Sequence, residues 1–160
     1  MSVIRRGALA LAAASFATIG LAPAALATAP ATGTGGFAPA APPVTISSRS
    51  ADGNSIVTQI QKFNDTGVLT GTETDTITFT FHADGTFNFR ADVAFTGTVA
   101  GRSGTLSQRF EGTGDTVSFQ GHLETLSGTG ALANLHGQGT FQGSSTTGVG
   151  TYVFHYHFDP

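Results

Sequence analysis

The alternation of apolar and polar residues from residue 44 onward is the feature that most constrains how this chain can fold. Thr, Val, Ile and Phe recur there in short runs of period two, and Gly, Asp and Asn separate the runs. Such alternation is typical of half-buried β-strands, and almost no stretch shows the spacing of an amphipathic helix. The sequence therefore predicts an all-β protein.

The runs can be paired into hairpins, because residues directly opposite in an antiparallel pair share one face of the sheet. A three-residue loop with a left-handed Gly85 pairs Phe81 with Phe87, and Phe79 with Phe89. Two-residue turns at 100–101 and 114–115 extend this pattern over four strands. They predict four apolar pairs: Phe95 with Leu106, Ala91 with Phe110, Phe110 with Phe119, and Leu106 with Leu123.

The opposite face of the same strands provides an independent check on the register. It places Arg90 opposite Glu111 and Asp92 opposite Arg109, so opposite charges meet twice. Exposed pairs of this kind contribute only about 0.2 to 1 kcal/mol each. We interpret them as surface pairs that support register and solubility.

The C-terminal residues form a last predicted hairpin, in which Gly139 faces Phe154 and Gly137 faces Tyr156, so that the glycines make room for large rings. With Val44–Ser47, Ile56–Phe63, Val68–Phe81 and the strands after them, the chain has about eight strands. Eight strands can close into an antiparallel barrel whose interior either fills with side chains or holds one small ligand. We predict such a closed barrel.

The N-terminus has the pattern of a secretory signal peptide over residues 1–27. Arg5-Arg6 precedes an Ala- and Leu-rich run from Ala8 to Leu21, and Ala25-Leu26-Ala27 forms a small-x-small peptidase site. The residues after the arginine pair fit a twin-arginine signal poorly, which favours Sec export. We therefore expect a secreted, extracellular protein.

Residues 28–43 are mostly Ala, Pro, Thr and Gly, a composition that predicts a disordered leader before a barrel domain at 44–160. No second apolar segment of about twenty residues follows the signal, so we expect no membrane anchor. Cysteine is absent, which excludes disulfides and thiolate metal sites. Stability must then come from the core.

The charge of the chain argues against a nucleic-acid partner. Removing Arg5 and Arg6 leaves five basic side chains against ten acidic ones, a charge of about −5. Phosphate backbones are bound by clustered Lys and Arg. Here the basic residues are few and dispersed: Arg49, Lys62, Arg90, Arg102 and Arg109.

Two stretches rich in Gly and Thr, Phe95–Thr105 and Ser127–Gly139, resemble an uncharacterised bacterial family of the allene oxide cyclase-like barrel superfamily. The resemblance runs from about Thr66 to Asp159 and includes the Asp84-Gly85 turn. It implies an eight-stranded barrel, often trimeric, like allene oxide cyclases and plant dirigent proteins, which steer reactive intermediates without a cofactor. The family itself has no established reaction to carry over.

Chemistry inside the barrel would start from Asp75 and Gln108, which the registers place on the otherwise apolar inner face, each opposite Val93. Burial raises the pKa of a carboxyl group, which suits a general acid or base. The alternative is that Asp75 lies at the barrel mouth in contact with water. Both interpretations stay open at the level of sequence.

The aromatic residues of the inner face could line a ligand pocket, with the hydroxyl groups of Tyr152 and Tyr156 orienting the ligand. The alternative is a filled core in which each hydroxyl reaches the rim. The predicted ligand-binding residues are Phe79, Phe89, Gln108, Phe110, Phe119, Tyr152 and Tyr156.

Three histidines of the last hairpin share the outer face, and the predicted register brings His136 opposite His157, with His155 nearby. Three imidazoles could bind zinc or copper, but only Asp159 could complete the set, which favours solvated surface histidines. The sequence contains neither a nucleophile elbow nor a phosphate-binding glycine loop, and we expect no cofactor.

Three classes of function are compatible with these features. The first is a secreted barrel that binds a small apolar molecule or acts as a scaffold. The second is a cofactor-independent isomerase or cyclase of the allene oxide cyclase type, which needs a polar group beside its substrate. The third is a structural or adhesive protein, which needs a filled interior and an exposed apolar patch. A homo-oligomer, a trimer by analogy, follows only from the resemblance.

Overall fold

The alternating runs form nine antiparallel strands of one sheet in the computed structural model, which describes residues 29–160. The strands are β1 (Ala31–Pro39), β2 (Val44–Ala51), β3 (Asn54–Gly67), β4 (Leu69–Phe81), β5 (Phe87–Val99), β6 (Arg102–Gly114), β7 (Ser118–Gly128), β8 (Leu135–Ser144) and β9 (Gly150–Phe158). A short 3₁₀ helix, Gly130–Leu132, lies between β7 and β8. Within residues 29–160, no helix is long and apolar enough to cross a membrane.

Eight of these strands close into a barrel. Strands β3 to β9 pair consecutively, and β1 joins the two ends because it pairs with β9 on one side and with β3 on the other. The ninth strand, β2, pairs only with the first half of β3. The predicted all-β fold and the closed antiparallel barrel of about eight strands are confirmed.

The strand that completes the barrel lies where composition predicts a disordered leader. For residues 31–39 that prediction is wrong, and the barrel begins at β1 rather than at residue 44. β1 is held by backbone pairing on both sides, which requires small residues more than apolar ones: a methyl at Gly35 would overlap the ring of Tyr152. Its Phe37 packs edge-on against Phe63 at 5.9 Å between ring centroids. The predicted signal peptide, 1–27, lies outside the described residues.

The hairpin registers around β5 are as predicted. Phe79 lies opposite Phe89, and Gly85 in the connecting turn has a left-handed φ of 85°. Across β5 and β6, both predicted charge pairs form: Arg90 Nε lies 3.6 Å from Glu111 Oε1, and Arg109 Nε lies 3.9 Å from Asp92 Oδ1. The C-terminal pairs of Gly137 with Tyr156, Gly139 with Phe154, and His136 with His157 also match.

The predicted register between β6 and β7 is wrong by four residues. Phe110 pairs with Leu123, so the predicted pairs of Phe110 with Phe119 and of Leu106 with Leu123 do not form. The connection is longer than the predicted two-residue turn, because the Asp115 carboxylate accepts hydrogen bonds from the N–H groups of the second and third residues after it. Because the slip is an even number of residues, β7 keeps its predicted faces from Ser118 to Thr125, and a bulge after Thr125 shifts the residues beyond it.

One end of the barrel is filled with side chains. Val99, Phe95, Leu132 and Phe154 are each at most 1 % exposed, and Leu132 comes from the 3₁₀ helix that covers this end. Close packing of this kind is the main source of stability in a chain without disulfides. The opposite end of the interior is different, and it contains the candidate site.

The packing of Phe154 depends on the absence of a side chain at Gly137. A methyl at Gly137 would overlap the Phe154 ring, so Gly137→Ala should lower the free energy of unfolding by about 1 to 3 kcal/mol. The matched control is Gln138→Ala on the exposed outer face, which should change it by less than about 0.5 kcal/mol. Urea unfolding measures both, and equal midpoints for the two variants would contradict this packing.

Candidate functional site

The half of the barrel nearest the β4–β5, β6–β7 and β8–β9 hairpins contains a cavity of about 650 Å³. The connection from Pro39 to Pro43 and the loop from Ser145 to Gly148 border it. Phe81 in its wall is 39 % exposed, so the cavity reaches solvent at this end. Nine phenylalanines line it: Phe37, Phe63, Phe79, Phe81, Phe87, Phe89, Phe110, Phe119 and Phe141.

The aromatic wall follows from the alternation of β4 and β5, whose odd-numbered residues point inward near the turn that joins them. Phe79 and Phe81 stack at 5.4 Å between ring centroids, and Phe79 meets Phe87 edge-on at 5.7 Å. Phe89 extends the contacts to Phe119 at 6.2 Å. The rings support one another at the hairpin end and leave space between them and the filled end.

Three carboxyl groups line the same cavity deeper in the barrel. Asp65 belongs to β3, and Glu73 and Asp75 belong to β4. Their side chains are buried, with 5 %, 7 % and 3 % of each residue exposed respectively. Among the described residues that line the cavity, none is Lys, Arg or His. The acids therefore have no positively charged neighbour in the cavity wall.

The neighbours of the acids are mostly apolar. Across the sheet, Glu73 lies between Phe63 and Phe95, Asp75 between Gln61 and Val93, and Asp65 between Phe37 and Gly71. Asp65 Oδ2 and Asp75 Oδ1 are buried and have no hydrogen-bond partner. Buried polar atoms normally find a partner, so two unpartnered oxygens on acids that line the same cavity are unusual.

Burial raises the pKa of all three carboxyl groups above the usual range. It raises the pKa of Asp65 to about 7. It also raises the pKa of Glu73 well above its usual range, and the negative charges of Asp75 and Asp65 add to that effect. The pKa of Asp75 is raised in the same way, by burial and then by Asp65. The acids therefore hold protons at a pH where exposed carboxyl groups have lost them.

Two amides accompany the acids. Gln61 donates a hydrogen bond from Nε2 to the carbonyl oxygen of Ala41 at 2.7 Å, which ties the connection after β1 to the cavity wall. Gln108 is 1 % exposed, but it is not among the residues that line the cavity. Its Nε2 is 3.4 Å from Thr125 Oγ1, and its Oε1 is buried without a partner.

Tyr152 lines the cavity, but its hydroxyl is used by the backbone. It donates to the carbonyl oxygen of Thr66 at 2.8 Å and accepts from the N–H of Leu69 at 2.9 Å. Burial raises the pKa of this phenol to about 12. The hydroxyl holds the tight connection between β3 and β4, and Tyr152 is buried rather than at the rim.

The structure brings most of the sequence-predicted ligand residues together. Phe79, Phe89, Phe110, Phe119 and Tyr152 line the cavity. Two predicted residues do not line it: Gln108 lies outside the wall, and Tyr156 packs its ring on Phe154 and Phe158.

The alternative that Asp75 lies in water at the barrel mouth is wrong, because Asp75 is buried in the middle of β4. Sequence reasoning missed Asp65, Glu73 and Gln61. Glu73 had a clear signal, since it lies two residues before Asp75 on the same face of one strand. Asp65 and Gln61 required the register of the β3–β4 hairpin, which turns tightly at Gly67 with a φ of 98°.

The three histidines, considered above as an alternative metal site, do not come together as one set. His136 and His157 stack at 5.2 Å between ring centroids, and both Nε2 atoms contact the Asp159 carboxylate, at 3.1 and 3.4 Å. His155 instead contacts Thr32 Oγ1 through Nδ1 at 2.8 Å. Among residues 29–160, no group of three or more His, Asp or Glu side chains is arranged to hold a metal ion.

The raised pKa of Asp65 makes stability depend on pH. The unfolded chain loses this proton near pH 4 and the folded protein keeps it until about pH 7. The contribution of Asp65 to the free energy of unfolding is therefore largest below pH 4 and falls as the pH rises to 7. Asp65→Asn should make the slope shallower by roughly 1 kcal/mol per pH unit over this window. Urea unfolding across the window measures it. Asp52→Asn, in an exposed turn, should keep the wild-type slope, and an unchanged slope in Asp65→Asn would contradict the burial argument.

The two tyrosines of β9 provide a matched pair for the hydroxyl bonds. Tyr152→Phe leaves the Leu69 N–H and the Thr66 carbonyl without their partner, so it should lower the free energy of unfolding by about 1 to 3 kcal/mol. Tyr156→Phe keeps the ring contacts of Tyr156 and should change it by less than about 0.5 kcal/mol. Equal urea midpoints would show that the Tyr152 hydroxyl does not hold the β3–β4 connection.

Comparison with known proteins identifies the family and the fold. A family model described as "protein of unknown function (DUF3224)" matches residues 33–156. A crystal structure of a DUF3224 protein of unknown function from Shewanella oneidensis MR-1 is 22 % identical, with a TM-score of 0.67 over 82 % of this chain and 100 % of that chain. No curated protein matches. From the family match, this chain belongs to the DUF3224 family of proteins of unknown function.

Proposed function

We propose that this protein is an exported binding barrel that takes one small, largely apolar molecule into its cavity. The observation that carries the proposal is the 650 Å³ cavity with its nine phenylalanines, which opens at the hairpin end. Cavities of a few hundred Å³ with apolar walls and a few polar groups are typical of small-molecule sites. Export is supported by the sequence of residues 1–27.

A second function, cofactor-independent isomerisation or cyclisation, is favoured by the buried acids. A carboxyl group that keeps its proton at neutral pH can act as a general acid toward a bound substrate. Asp65, Glu73 and Asp75 all have raised pKa values and line the cavity. The resemblance to allene oxide cyclases adds support from the sequence.

The binding function is the better supported of the two. Catalytic groups need their orientation fixed by neighbouring hydrogen bonds. Asp65 Oδ2 and Asp75 Oδ1 have no such partner. The binding function needs only the aromatic wall and a polar group that a ligand can reach, and the cavity contains both. Steady turnover of a substrate, rather than its retention, would favour the enzyme.

The subunit count and any natural ligand can be measured together. A homo-oligomer, with a trimer expected by analogy, is part of the proposal. Native mass spectrometry of the secreted protein would report its oligomeric state and any small molecule that purifies with it. A monomer would remove the trimer from the proposal without affecting the cavity.

Filling part of the cavity should weaken binding. Phenylnaphthylamine is an apolar fluorophore that brightens in apolar surroundings, and the wild-type protein should bind it. Ala91 is 2 % exposed and lines the cavity, so Ala91→Leu should weaken that binding by about tenfold or more.

The matched control is Ala94→Leu, on the exposed face of the same strand, which should bind like the wild type. The measurement is a fluorescence titration, with circular dichroism to confirm that both variants are folded. The proposal fails if the wild-type protein does not bind the fluorophore, or if both folded variants bind it equally well.

A further inference from the structure

The deep part of the cavity is unusual because its polar groups are almost all acidic. Asp65, Glu73 and Asp75 lie on two adjacent strands and line one space. Burying three like-charged groups together is unfavourable unless they hold protons or meet a partner. The groups around the three acids indicate the chemical class of a ligand that could pair with them.

The strands around the acids contribute amide, hydroxyl, aromatic and aliphatic groups to the cavity wall. β3 contributes Gln61, β9 contributes Tyr152, and β1 and β5 contribute aromatic and aliphatic side chains, Phe37 and Ala91 among them. The amide of Gln61 is used by Ala41, and the hydroxyl of Tyr152 by the backbone. Among the described residues of the wall, no positive charge is available to the acids.

Two acid oxygens point to a ligand independently of the charge count. Asp75 is 3 % exposed, yet its Oδ1 has no hydrogen-bond partner, and Asp65 Oδ2 is in the same state. Buried acceptors without a donor are costly, so a ligand that brings N–H donors would relieve them. An ammonium group supplies several donors and the positive charge that the site lacks.

The aromatic wall suits the same ligand. Four rings pack against one another at the open end of the cavity, with ring centroids 5.4 to 6.2 Å apart: Phe79, Phe81, Phe87 and Phe89. Ring faces attract cations and pack against apolar bodies. A carboxylate ligand would instead place its negative charge beside three acids, without a cation in the described wall to offset it.

We infer that the cavity selects apolar molecules that carry a protonated amine, with the ammonium group against Asp65, Glu73 and Asp75 and the apolar body among the phenylalanine rings. This inference rests on the proposed binding function and names its ligand class. Quaternary ammonium compounds are disfavoured, because they have no N–H to donate to the unpartnered oxygens.

Binding of such an amine releases protons. The acids keep protons in the empty cavity, and the arriving ammonium favours the ionised carboxylate, so a proton leaves for the solvent while the N–H groups bond to the oxygen. Affinity should therefore rise with pH until the paired carboxyl group is already ionised in the empty cavity, and it should fall once the pH exceeds the pKa of the amine. A neutral ligand of the same shape gains nothing from ionisation, and its affinity should not rise.

The test compares three molecules with one aromatic skeleton: naphthylethylamine, naphthylethanol and naphthylacetic acid. Isothermal titration at neutral pH should show the amine binding about tenfold or more tighter than the alcohol, with the acid weakest. Repeating the amine titration in buffers of different ionisation enthalpy should show proton release. Phenylnaphthylamine, run in parallel, reports whether the cavity binds apolar molecules at all.

Two variants assign the preference to the acids. Asp65→Asn and Asp75→Asn keep the shape of the side chain but remove its charge, so each should reduce the preference for amine over alcohol by about tenfold. The preference is the ratio of the two affinities measured on the same variant, so a change in the cavity that affects both ligands equally does not alter it. Asp92→Asn, on the exposed face, is the control and should leave this ratio unchanged.

The outcomes separate the two proposals. Equal affinity for amine and alcohol, with phenylnaphthylamine still bound, overturns the amine inference and leaves the binding barrel standing. A wild-type protein that binds none of the probes overturns the binding function itself. If the Asn variants do not fold, the wild-type comparison of amine with alcohol still decides.

Discussion

Closure of the barrel by β1 is the constraint on which the rest of the structure depends. β1 pairs with β9 along one edge and with the second half of β3 along the other, so that neither strand keeps an open edge there. Its glycines allow this close fit, and its Phe37 lies directly opposite Asp65. The strand that closes the barrel therefore also covers Asp65 and contributes to its burial.

Closure creates an interior with two different halves. The end under the 3₁₀ helix is packed with side chains that are almost fully buried, while the hairpin end keeps a cavity with acids at its base. Three buried carboxyl groups with raised pKa values make the folded state less stable at neutral pH. A chain selected only for stability would place apolar residues there, and features that reduce stability are concentrated at functional sites.

Alternation alone was enough to predict the barrel, most hairpin registers and the inward position of Asp75, because side-chain direction in a strand has a period of two. Alternation failed where backbone pairing or side-chain hydrogen bonds determine the structure. β1 is held by backbone pairing and consists of small residues, a composition that is also typical of disordered segments. The β6–β7 turn is set by hydrogen bonds to the Asp115 carboxylate, which changed its length. Asp65 could be placed only through a hairpin whose turn, at Gly67, has no strong two-residue signature.

The position of the acids along the strands also bears on how a ligand enters. Glu73 and Asp75 lie in the middle of β4, whereas Phe81 lies at its end, beside the turn. A molecule that comes in from the hairpin end passes the phenylalanine rings before it reaches a carboxyl group. Its polar group must therefore lead and its apolar body must follow, since the reverse orientation would leave the polar group among rings and the acids without a partner. A shared fold at 22 % identity does not determine this order of rings and acids, which comes from the residues of this chain.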